Sequence, residues 1–143
     1  ANSTVEASLT GHTVVTTVHS GPAESAHGRI SLLCQRRFQL GMEVSLSQSR
    51  QAFPVVVFAH KCEDNSRKVM DITECEVTPD GKTFYRCLYR YNITENIYDG
   101  SKFTIKGEFE KVNTPSEYLR TLLTRSGVPQ DELAKFTRKE MTE

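Results

Sequence analysis

At 143 residues the chain is long enough for one domain with a hydrophobic core of its own. Its 18 basic and 18 acidic residues cancel, so no charge excess points to nucleic acid or an anionic membrane surface. No apolar run approaches the roughly 20 residues of a membrane span.

In chain order, residues 1–8 are polar and expected to be flexible. Val14-Val15-Thr16-Thr17-Val18 is β-branched and reads as a strand, followed by a Gly21-Pro22 loop. Arg29 to Leu40 reads as a long strand with Ile30, Leu32, Cys34, Arg36, Phe38 and Leu40 on one face, and Glu43 to Ser47 alternates again. Phe53 to His60 is an apolar strand with Pro54 near its start, where no ladder donor is lost. Lys68 to Val77 and Thr83 to Asn92 form a hairpin around Pro79-Asp80-Gly81, and Lys102 to Lys106 is a last strand closed by Gly107. Thr114-Pro115-Ser116-Glu117 then carries the spacing of a capping box, with Thr114 as cap and Pro115 at the first helical position. Tyr118, Leu119, Leu122 and Leu123 give one apolar stripe, and Gly127 with Pro129 ends the helix near Ser126. The sum is a single all-β domain over residues 1–143: an eight-stranded antiparallel up-and-down barrel with one C-terminal α-helix.

Few residues suggest chemistry. His12, His19, His27 and His60 lack a metal-ligand spacing, no Gly-x-Ser-x-Gly or phosphate-binding loop occurs, and Glu74 and Glu76 read as solvent-facing. A non-enzymatic protein without metal or cofactor is expected. Cys34, Cys62, Cys75 and Cys87 permit three disulfide pairings; Cys75 with Cys87 flanks the hairpin turn symmetrically, leaving Cys34 with Cys62, and buried thiols are the alternative. Two sequons, at Asn2 and Asn92, together with the even cysteine count and a start at Ala1, predict a secreted, extracellular glycoprotein.

Phe84 to Tyr91 is the strongest contact candidate, with Tyr85, Cys87, Tyr89 and Tyr91 on one face and Phe84, Arg86, Leu88 and Arg90 on the other. Ser8-Leu9-Thr10-Gly11-His12-Thr13-Val14, Thr83-Phe84-Tyr85-Arg86-Cys87, and Phe103 to Gly107 with its capped helix and the Gly127-Val128-Pro129 exit together resemble the lipocalins. Thr13 stands where that family carries tryptophan and Glu108 where it carries arginine, so the chain departs from the pattern at the barrel base. The resemblance implies a carrier that holds a small hydrophobic ligand, such as a lipid, odorant or pheromone-like molecule, in a barrel cavity, and a cell-surface receptor as a further partner. Arg36, Phe38, Val56, Phe58, Tyr89, Arg90 and Phe103 are the expected lining, with Arg36 and Arg90 as anchors for an acidic lipid. The competing expectation is an immunoglobulin-like sandwich in receptor or adhesion contacts, for which a Cys34–Cys87 bridge would speak.

Overall fold

A computed structural model of the chain describes residues 1–35 and 41–137. Among these residues the element order is α1 (Asn2–Leu9), α2 (Ala23–Gln35), α3 (Met42–Ala52), β1 (Val55–Lys61), β2 (Arg67–Val77), β3 (Thr83–Tyr98), β4 (Phe103–Lys111), α4 (Glu117–Arg125) and α5 (Gln130–Thr137). The four strands form one sheet in the order β1-β2-β3-β4. The expected eight-stranded barrel with one helix is therefore wrong: the sheet has four strands and is open, and five helices accompany it. One sheet is also not the two-layered sandwich of the competing expectation.

The difference lies in residues 1–35 and 41–52, where α1, α2 and α3 stand in place of the expected loose start and strands, because the buried positions follow a helical period. Ile30, Leu32 and Cys34 suggest alternation, but Leu32 is exposed. The buried set in α2 is Ala23, Ala26, His27, Ile30, Ser31 and Cys34, a helical spacing of three and one that includes alanine, histidine and serine. In α3 the buried set is Ser45, Ser49 and Ala52, again helical and almost without apolar signal. Small side chains let α2 and α3 approach closely, and Ser49 Oγ donates to His27 O at 3.2 Å across them. Residues 2–9, expected to be loose, form α1 and bury Val5 against Ile30, Cys34 and Ala52. Residues 14–18 take no regular structure despite their β-branched run, since tertiary context overrides β-propensity.

The chain divides into two compact units, Ala1–Val56 with Cys75–Tyr85, and Val57–Glu74 with Arg86–Glu143. The first carries α1, α2 and α3. In the second, β3 and β4 pair antiparallel from Tyr89↔Lys111 to Tyr98↔Phe103, with a bulge between Ile93 and Glu95. The bulge inserts one residue on β3 and leaves β4 unbroken through Gly107, so the expected stop at that glycine was early. A Cβ on Gly107 would lie 2.2 Å from Asn92 O and 2.8 Å from the Tyr91 ring, which is why glycine stands there.

The C-terminal helix exists but starts two residues later than expected. Ser116, not Thr114, is its N-cap, with Oγ accepting from Leu119 N at 3.1 Å. Ser116 is in turn fixed by Glu74. The Glu74 carboxylate accepts from Ser116 N at 2.9 Å through one oxygen and from Ser116 Oγ through the other. Glu74 has no exposed surface, which reverses its expected solvent-facing role. A buried carboxyl group is tolerated because donors at a helix N-terminus meet it. Leu119 is buried, while Tyr118 at the edge of the expected stripe is exposed.

Candidate functional site

Two cavities stand out. The first, in the helical unit, has a volume of about 130 Å³ and is lined by Ala1, Thr4, Thr16, Thr17, Val18, Ile30, Leu33 and Phe53. Ile30 projects from the core face of α2, and Val18 and Phe53 pack on the cluster of Val5, Ile30, Cys34 and Ala52. The irregular segment 16–18 thus forms one wall and contributes two threonine hydroxyls to an otherwise largely apolar space. The second, in the other unit, is a shallow groove of about 600 Å³ between α4 and α5, with Glu117, Arg120, Thr124 and Arg125 among its rim.

Phe53, a wall of the first cavity, is held from behind by a polar network. Its amide donates to Ser49 O as the C-cap of α3, and its carbonyl accepts from His27 Nε2 at 2.9 Å. A carbonyl only accepts, so Nε2 carries the proton, and Nδ1 of the neutral ring accepts from the Tyr85 hydroxyl at 3.1 Å. Arg50 hydrogen-bonds the Tyr85 oxygen, and the Cys75 thiol lies beside it. Burial holds the His27 pKa below its ordinary 6.5; the Phe53 hydrogen bond opposes this and the Arg50 charge adds to it. Burial also raises the Tyr85 pKa, against the pull of Arg50. Histidine, tyrosine, arginine and cysteine in one cluster look catalytic, but His27 is 0% exposed and both its nitrogens are committed. With both nitrogens committed, His27 holds the Phe53 carbonyl and the Tyr85 hydroxyl in place.

The expected lining residues do not converge. Arg36 and Phe38 lie outside the described residues. Val56 and Phe58 sit on β1, Tyr89 and Arg90 on β3, and Phe103 on β4. Neither cavity takes a wall from any of these five. Tyr89 pairs with Lys111, exposed Arg90 with Glu110, and Phe103 stacks on Tyr98 with ring centroids 4.6 Å apart. The cavity residues Thr16 to Val18, Ile30, Leu33 and Phe53 were missed because their elements were read as barrel strands.

Cys34, Cys62, Cys75 and Cys87 all stand as thiols, so none of the expected pairings is formed. Cys34 behaves as a small apolar core residue, with burial raising its thiol pKa. Asn2 begins α1 with Nδ2 donating to Glu6 Oε1, while Asn92 stands exposed on β3 with Nδ2 donating to Glu110 Oε2 at 2.6 Å. Among the described residues no His, Cys, Asp or Glu group could hold a metal ion, and no helix is long and apolar enough to cross a membrane. Neither a family model nor a curated protein matches the chain.

Proposed function

We propose that this is a secreted, non-enzymatic binding protein that carries one small apolar molecule, seated in the cavity of the helical unit rather than in a barrel lumen. The observation that carries the reading is the 130 Å³ space walled by Val18, Ile30, Leu33 and Phe53. A dry cavity of roughly 150 Å³ accepts benzene, whereas sites for larger ligands run to about 300 Å³ and more. The ligand class is therefore a compact aromatic or short aliphatic molecule, and a long-chain lipid does not fit. Thr4, Thr16 and Thr17 add hydroxyls for one hydroxyl or carbonyl on the ligand. The exposed Asn92 sequon supports an extracellular setting.

Methyl NMR during titration with toluene tests the proposal. Shifts confined to Val18, Ile30 and Leu33 are expected, and Leu33→Phe should abolish them by filling the space. Oleate should leave these methyls unmoved. Absence of any toluene shift at these three residues would refute the seat.

A further inference from the structure

β4 is the terminal strand of the sheet, and its outward backbone groups can be assigned. Val112 N donates to Leu88 O at 2.8 Å, which makes Leu88 and Val112 a hydrogen-bonded pair. Alternation along unbroken β4 then turns the even-numbered amides toward β3 and the odd ones, Phe103 to Lys111, toward the open edge. Ile105 bears this out: its N–H is taken by Asp64 Oδ2 at 3.1 Å, from the β1–β2 turn. The same strand leaves Phe109 57% and Phe103 40% exposed, on the face they share with Tyr91 and Tyr98. Open edges with exposed apolar side chains are pairing templates.

We infer that this edge is a self-complementary interface: β4 pairs antiparallel with β4 of a second copy, with Gly107 opposite Gly107. Only odd residues offer outward groups, so permitted registers move in steps of two about the twofold axis. Centring on residue 106 opposes Lys106 to itself, and centring on 108 opposes Glu108 to itself. Centring on 107 instead sets Lys106 against Glu108 of the second copy, twice by symmetry, and Thr104 against Glu110. On the other face Phe109 meets Ile105 and Phe103 meets the Lys111 stem. The register thus matches charge on the face that already carries the Lys106–Glu95 ion pair of 3.0 Å, and apolar groups on the aromatic face. No side chain at Gly107 obstructs the axis. Asp64 is the intramolecular competitor, because the Ile105 amide must transfer from its carboxylate to the carbonyl of Phe109 in the second copy.

Sedimentation equilibrium of the whole chain over a concentration series decides this. Wild type should show a monomer–dimer equilibrium. Lys106→Glu and Glu108→Lys, each placing like charges across the axis, should each weaken association at least tenfold, and the double variant should restore it. Asp64→Ala should strengthen association by freeing the Ile105 amide. All three substituted positions are at the surface or its rim, and circular dichroism verifies that each variant keeps its fold. A wild type that stays monomeric at its highest soluble concentration overturns the proposal. So does a dimer indifferent to the single charge reversals, or a double variant no stronger than the singles.

Discussion

His27 shows how one side chain links helix packing to a cavity wall. Its carbonyl receives Ser49, its Nε2 holds Phe53, and its Nδ1 receives Tyr85, so α2, α3 and the start of β3 meet on one ring. Protonation would turn Nδ1 from acceptor to donor and place a second cation near Arg50. The sign of the pH effect follows from the depressed pKa. The unfolded chain, with His27 at its ordinary 6.5, binds the proton more readily than the fold does. Stability should therefore be intact above about pH 6.5 and fall as pH drops below it toward the folded value. Urea midpoints measured between pH 7.5 and 5 should decline in wild type, and His27→Gln should flatten that decline. An identical slope in the variant would show that other groups are responsible.

At the scale of elements, α4 depends on one residue outside itself. Ser116 caps the helix and supplies both donors to buried Glu74, so two functions rest on one hydroxyl and one amide. Ser116→Ala removes the cap and leaves the carboxylate with only the backbone donor. Together these should cost about 2–4 kcal/mol, read as a lower urea midpoint with little change in slope. A loss below about 0.5 kcal/mol, the scatter of neutral surface changes, would mean that Glu74 is satisfied otherwise. The sequence announced this helix through its leucine stripe and Gly127 stop but not its true cap, because Ser116 is selected by a strand 42 residues away. The hairpin around Pro79-Asp80-Gly81 was legible for a local reason. Thr78 Oγ1 donates to Asp80 Oδ1 and Gly81 adopts φ +80°, so the turn chemistry is contained in the turn. Helices α2 and α3 were not legible as helices, since their buried faces are built largely from Ala, Ser and His, with Ile30 the one large aliphatic side chain among them.

For the molecule as a whole, strand periods were readable where one face of a strand is wet, and failed where burial is achieved by small polar residues. The aromatic strand, expected to be the ligand-contact strand, divides instead: Tyr85 enters the polar network behind Phe53, while Tyr91 packs edge-on against Phe109 across β3 and β4. The cavity was invisible because the sequence spreads its walls over α1, an irregular segment, α2 and the C-cap of α3. Cysteine count misled for a related reason. Four cysteines suggest disulfide staples, but Cys34, Cys62 and Cys75 stand as buried thiols, and Cys34 fills core space where an apolar side chain would serve. A fold that does not use disulfides should be insensitive to their reduction. Thermal unfolding should therefore give the same Tm with and without a phosphine reductant. Thiol titration of the native protein should find at most the half-buried Cys87 reactive, whereas denatured protein should yield four thiols. A Tm that falls on reduction, with fewer than four thiols in the denatured oxidised sample, would establish a bridge that this arrangement lacks. The pair could then be identified by mapping which of the four resists alkylation.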